Sequence, residues 1–184
     1  MTEHTAPPKI GTLDWLPTAD HADLLAAPVT AALAALDVAA WVAAIDPELA
    51  DTAAFCEAYQ VPLEVSANCV VVTGRRAETE RTAACLVLAT DRADVNKVVR
   101  KQLDVRKISF APMDDAVSRT GMEYGGITPI GLPADWPVLV DTAVTEQAWI
   151  VIGSGIRGSK IAITGADAAR LPGTEVLGLT ITGS

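Results

Sequence analysis

Hydrophobic positions in this chain fall into two rhythms, short unbroken apolar runs and stripes spaced three or four residues apart, and the exchange between them marks out its elements. The unbroken runs predict strands over Val38 to Ile45, Asn68 to Thr73, Ala83 to Ala89, Lys107 to Phe110, Pro137 to Asp141, Trp149 to Gly153 and Lys160 to Thr164, with another near Val176. A polar turn through Gly74 to Glu80 joins the second run to the third, and Asp46-Pro47 breaks the chain after the first. Helices are predicted between the runs. Ala and Leu dominate His21 to Leu36; Asp51 can cap a helix through Ala58 with Phe55 and Tyr59 on its inner face; and Asp91 or Asp94 can cap another, striped by Val95, Val98, Val99 and Leu103. Met113 to Arg119 is stopped by Gly121, and Gly165 to Leu171 is a last short helix. Residues 1–20 hold three prolines and no periodicity, so they read as a poorly ordered lead-in to a single domain over 21–184. Strands and short helices interleave without a regular period. That order predicts a mixed α/β (α+β) domain, with a largely antiparallel mixed sheet or partly open barrel and surrounding helices, and not a doubly wound parallel sheet.

Composition agrees with one domain, since 184 residues of which half are hydrophobic can bury a sizeable core. No apolar run approaches the roughly 18–20 residues of a membrane span, and the opening Met-Thr-Glu-His-Thr-Ala-Pro-Pro lacks the basic and apolar regions of a signal peptide. A cytoplasmic location is the expectation. The net charge of −9 argues against a nucleic-acid partner until its distribution is read. Residues 1–66 hold ten acidic side chains against one basic, Lys9, whereas the remainder holds thirteen of each sign. Within that neutral part Lys97, Arg100, Lys101, Arg106 and Lys107 crowd together against Asp104 alone, and Arg75, Arg76 and Arg81 form a second group. Each is either a local basic patch or a solvated helix face and turn.

Candidate chemistry is narrowed by what the chain lacks. Its only histidines, His4 and His21, lie near the N-terminus, which removes the usual base for a Ser or Cys nucleophile. Cys56, Cys69 and Cys85 are odd in number and sit among apolar residues, so they read as buried free thiols. No cluster of His, Cys and carboxylates has ligand spacing, and neither a metal nor a cofactor is expected.

Residues 120–131, Thr-Gly-Met-Glu-Tyr-Gly-Gly-Ile-Thr-Pro-Ile-Gly, are the distinctive segment. Glycine allows positive φ and close approach to the main chain, and Pro129 restricts Thr128 to extended conformations, so the expected product is a rigid wall lined with amides. It lacks the Gly-Lys-Ser/Thr ending of a P-loop. Its amides can form an oxyanion hole or grip a carbonyl and ribose; the alternative is a tight turn with no ligand. A second turn follows, Gly153-Ser-Gly-Ile-Arg-Gly158, with Asp141 between the two. Asp141 can bind a ribose or amino group, or cap the turn after it. Arg157 can contact phosphate or stand in solvent, and Tyr124 and Met122 can line a pocket or simply pack. Trp41 and Trp149 read as core.

The order of these pieces, "NCVVV", "DVNKVVRKQL", "TGMEYGGITPIGL", "PVLVDTAV" and "GSGIRGSK", resembles the YbaK/prolyl-tRNA-synthetase-associated-domain family over about residues 50–178. The resemblance implies a YbaK-like fold and a freestanding trans-editing hydrolase that deacylates mischarged aminoacyl-tRNA without a metal. Aminoacyl-tRNA is then the partner, with a tRNA synthetase as a further one. It implies that Gly125, Gly126, Thr128 and Pro129 wrap the ester beside the strand position of Asn68, and that Gly121, Tyr124, Ile127, Asp141, Gly153, Ser154 and Gly155 contact substrate. Lys97, Arg100, Lys101 and Arg157 are the implied tRNA contacts. One departure stands out, since Asn68 occupies the place of a family lysine and contributes no charge. Gly153 and Lys160 also depart from the family pattern. The alternative function is a YbaK-like protein of altered specificity, or without turnover, that binds tRNA, a synthetase or a small ligand.

Overall fold

The computed structural model describes residues 6–181. Nine strands and six α-helices are formed among them: β1 Leu16–Pro17, α1 Ala27–Ala35, β2 Trp41–Ala44, α2 Thr52–Tyr59, β3 Ala67–Arg76, β4 Thr79–Leu88, α3 Arg100–Gln102, β5 Lys107–Phe110, α4 Met113–Thr120, β6 Val138–Asp141, α5 Thr142–Thr145, β7 Ile150–Gly153, β8 Ser159–Ile163, α6 Gly165–Ala168 and β9 Thr174–Leu177. The strands form two sheets. One is antiparallel throughout, in the order β1-β2-β8-β7; the other, β5-β3-β4-β6-β9, is antiparallel across β5-β3-β4 and parallel across β4-β6-β9. Neither closes into a barrel, and the fold is the mixed α/β single domain that the element order predicts.

Period-two alternation explains the layering. Leu86, Val138, Val140, Ile150, Ile152, Ile161 and Ile163 point into the space between the sheets, where α1 adds Val29. Their neighbours along the strands point the opposite way. Val151 and Ala162 meet Phe55 and Cys56 of α2 on the outer face of the first sheet. Cys85, Val87 and Leu139 meet Val95, Val99 and Leu103 on the outer face of the second. Both sheets are therefore covered on two sides.

Several boundaries differ from the sequence-based expectation. Residues 6–20 are packed and not a loose lead-in: Ile10 and Trp15 are buried against Phe55, Trp15 donates its indole N–H to the Ile10 carbonyl at 3.1 Å, and β1 pairs with β2. Residues 1–5 lie outside the described residues. The helix expected from His21 starts only at Ala27, because Pro28 has no N–H to donate to the preceding turn. The polar turn of Gly74 to Glu80 shrinks to Ala77-Glu78, with Ala77 at φ 53°, and cross-strand partners such as Arg75 and Glu80 extend the hairpin. Asp94, not Asp91, caps the basic helix by accepting from the Lys97 amide, and that helix opens with a π-helical turn over Val95–Val99. The last helix ends at Ala168 and not Leu171.

Candidate active site

Ser66, immediately before β3, forms a parallel bridge with Val151 of β7, and a cleft of about 450 Å³ opens beside it. Its walls come from four places. β3 contributes Asn68, the start of α2 contributes Asp51 and Thr52, β7 ends in Gly153, and the Gly-rich loop contributes Tyr124, Gly125 and Ile127. Phe110, Met113 and Tyr124 stand exposed at the rim, and Lys160 of β8 lies beneath.

The loop and the second glycine turn clasp each other through main-chain bonds. Gly155 N–H donates to the Gly126 carbonyl at 2.7 Å, and Glu123 N–H donates to the Gly155 carbonyl at 2.8 Å. Gly126 also closes its own turn by donating to the Glu123 carbonyl at 2.9 Å. Only glycine fits here. A Cβ on Gly126 would stand 2.8 Å from the Ile156 carbonyl carbon and oxygen, and one on Gly153 would stand 2.6 Å from the Gly126 oxygen. Arg157 ties the clasp to a third segment, since its guanidinium donates to the Tyr124 carbonyl at 3.2 Å and to the Pro47 carbonyl at 3.1 Å. Its own amide donates to the Glu123 carboxylate at 2.9 Å. Among the loop residues that line the cleft, the N–H groups of Tyr124, Gly125 and Ile127 donate to no protein acceptor among the described residues. Unspent donors in a rigid wall can hold a carbonyl oxygen or an oxyanion.

The model of the aminoacyl-tRNA editing domain family matches residues 46–171, well over half of the chain. This protein belongs to that family. Among solved structures, a protein named as a putative trans-editing enzyme for prolyl tRNA synthetase superposes with a TM-score of 0.72 at 18% identity, covering 85% of this chain and 96% of that one. The hypothetical protein APE2540 superposes at 0.64 with 16% identity, over 72% and 85% of the two chains. These likenesses establish the fold. The family and the fold are those anticipated from the order of motifs.

Two polar side chains of this editing domain's cleft are tied to protein partners. Asn68 is not idle, because its Oδ1 accepts from Thr52 Oγ1 at 2.6 Å and so ties β3 to the start of α2. Lys160 is buried, donates to the Ala50 carbonyl at 3.0 Å and sits 5.1 Å from the Phe55 ring centroid. Burial is the main cause lowering its pKa from the ordinary lysine value; Cys56 and Asp51 act upward and the Arg157 guanidinium downward. An unfolded chain keeps this proton to higher pH than the folded one, so the unfolded state binds more protons between the two values and stability rises with pH there. Lys160→Met is therefore expected to be about 1–3 kcal/mol more stable than the parent at pH 7. The gap should narrow as pH rises through the lowered value towards 10.5. Urea unfolding at several pH values reads this directly, and a parent as stable as the variant at every pH would contradict it.

The remaining candidates divide by where their side chains go. Asn68, Tyr124, Gly125, Ile127 and Gly153 line the cleft. Gly126, Thr128, Pro129, Ser154 and Gly155 support it from behind: Ser154 Oγ is spent on the Ile156 and Ser159 carbonyls, and Gly155, at φ +88°, packs against Ala26, Val29 and Met122. Thr128 is fully buried with no partner for its hydroxyl, an orphan that marks the loop's tight passage. Gly121 caps α4 at φ 69°, outside the cleft lining. Asp141 also lies outside that lining. It is the N-cap of α5, where Oδ2 accepts from the Ala143 amide at 3.1 Å, while Oδ1 accepts from the Leu179 amide at 2.8 Å. That is the capping arrangement. Lys97, Arg100 and Lys101 do form a basic surface with Arg106, in a shallow depression away from the cleft lining. Arg157 is committed to carbonyls and braces the loop.

The cysteines behave as inert thiols. All three are free, and burial raises the pKa of each above its ordinary value, Cys85 to about 12. Among the described residues no helix is long and apolar enough to cross a membrane, and no group of metal-ligating side chains is present.

Proposed function

We propose that this protein is a trans-acting hydrolase that cleaves the ester of mischarged aminoacyl-tRNA. The free amides of Gly125 and Ile127 on the cleft wall carry this reading, because hydrolysis of an ester needs donors placed where the carbonyl oxygen becomes negative. Water adds to the carbonyl carbon, the oxygen takes the charge and rests on those amides, and the bond to the ribose oxygen then breaks, with the proton passing to the departing hydroxyl. Among the described residues no histidine lines the cleft, and Cys69, the one thiol in its lining, is kept from acting as a base by the burial that raises its pKa. The substrate's own ribose hydroxyl and backbone groups orient the water, so catalysis here is mainly positioning and electrostatic stabilisation. The basic surface of Lys97, Arg100, Lys101 and Arg106 is suited to phosphates of the acceptor stem. Support also comes from the family and from the superposed protein named for prolyl tRNA synthetase.

The test is release of amino acid from a panel of mischarged tRNAs, including Ala, Cys and Ser on tRNA-Pro, under multiple-turnover conditions. Release well above background on at least one member is expected. A panel without release overturns the hydrolase and favours the second reading, a binding protein that kept the cleft. The specific observation behind that reading is Asn68, an uncharged amide already committed to Thr52.

A further inference from the structure

Lys160 is a buried lysine in the cleft with no ion-pair contact among the described residues. It is 8% exposed, and its Nζ has one protein acceptor, the Ala50 carbonyl. An ammonium has three N–H donors. Among the described residues no carboxylate lies within ion-pair distance of it. Phe55, fully buried, backs it on the α2 side. On β8 its backbone is held between Ala43 of β2 and Gly153 of β7, and Gly153 has no side chain to stand between the lysine and the Gly-rich loop. An unpaired buried ammonium costs stability unless an acceptor arrives. The acceptor must therefore come with the ligand.

We infer that Lys160 is a specificity residue that binds a carboxylate on the acyl group, so that the cleft prefers acidic aminoacyl esters to small neutral ones. The inference rests on the reading of the cleft as an aminoacyl-ester site. The position favours the acyl end of the substrate over its phosphates, because Lys160 lies at the floor while Phe110, Met113 and Tyr124 stand exposed at the rim. Asp51, the one acid among the lining residues, supplies the charge that a substrate's α-ammonium requires. Asn68 is neutral, so among the described residues Lys160 is the only cation in the cleft lining. A cation placed here gives what size alone cannot, since a pocket built to pair a substrate's polar group rejects an analogue without it far more strongly than it rejects a missing methylene.

The experiment measures binding of non-hydrolysable 3′-aminoacylamino-adenosines to the full chain by calorimetry, comparing aspartyl with asparaginyl and glutamyl with glutaminyl, with the alanyl compound as the small neutral member. An acidic compound is expected to bind about tenfold or more tightly than its amide isostere. That preference should vanish in Lys160→Met and persist in Lys9→Met, which alters an exposed lysine outside the cleft lining. If Lys160→Met fails to fold, Lys160→Gln takes its place, and the preference of the unaltered protein is informative without either. Equal binding of acid and amide, or a preference for alanyl, overturns the inference and leaves the ester site standing. Failure of every compound to bind overturns the ester site as well. A Lys160-dependent affinity for adenosine 5′-phosphate, with no preference for the acid, assigns the lysine to phosphate and also overturns the inference.

Discussion

Replacing Gly126 with alanine is expected to lower stability by about 2–3 kcal/mol and to cut deacylation at least a hundredfold. The reason is contact with main chain and not with movable side chains. The added Cβ would stand 2.8 Å from the Ile156 carbonyl carbon and oxygen and 2.9 Å from its nitrogen, and a peptide unit cannot rotate out of the way as a side-chain tip can. Either the loop or the second turn must shift. Both are held by the Gly155 to Gly126 bond at 2.7 Å, so the shift breaks the clasp that places the Gly125 and Ile127 amides. Gly178→Ala is the control, since a Cβ there meets nothing within 4 Å, and it should alter neither quantity. Urea unfolding and single-turnover deacylation of both variants check the pair. A Gly126→Ala protein with parental activity would show that the clasp does not set the amides.

Asp141→Ala, away from the cleft, is expected to cost about 3 kcal/mol, because two hydrogen bonds to a carboxylate are lost and two amides are left behind. One of those amides, Leu179 N–H, is buried, and its side chain is fully buried in the core formed with Val99 and Leu139. The C-terminal segment has two further ties, the Asp94 amide to the Leu179 carbonyl at 2.8 Å and the Ile181 amide to the Arg92 carbonyl at 2.9 Å. Loss of Asp141 should therefore show as faster hydrogen exchange at Leu179 and Ala143 together with a lower unfolding midpoint. Deacylation by the folded fraction should be unchanged; a fall there would return Asp141 to the substrate-binding residues.

Much of the site was legible because its signals are local. Gly121 ends α4 and Gly125 takes positive φ for reasons that lie within a few residues, so a run of four glycines and a proline announces a rigid loop before any fold is known. Lys160 was harder to place. Along the chain it begins an apolar strand, and the expectation treated it only as a departure from a family pattern. The signal that could have exposed it is period two: with Ile161 and Ile163 facing the inter-sheet core, Lys160 must share the opposite face with Ala162, where a lone cation has to be explained. Asp141 and Arg157 were ambiguous for the opposite reason. Both types bind ligands readily, and nothing near them in sequence says that Leu179 and Pro47 will claim them first.

Strand and helix identity, the covering of both sheets and the shape of the Gly-rich loop follow from short-range patterns of apolar spacing, capping and allowed φ, which act over a few residues and so can be read in order. Which side chains enter the cleft depends on partners far along the chain. The Lys160 ammonium meets a carbonyl 110 positions away at Ala50, and the Arg157 guanidinium meets one equally distant at Pro47. Such pairings exist only after β8 has packed against β2 and α2 has closed over the sheet. Until then both cations are simply charges in water, and only burial turns one into a brace and the other into an unpaired floor for the cleft.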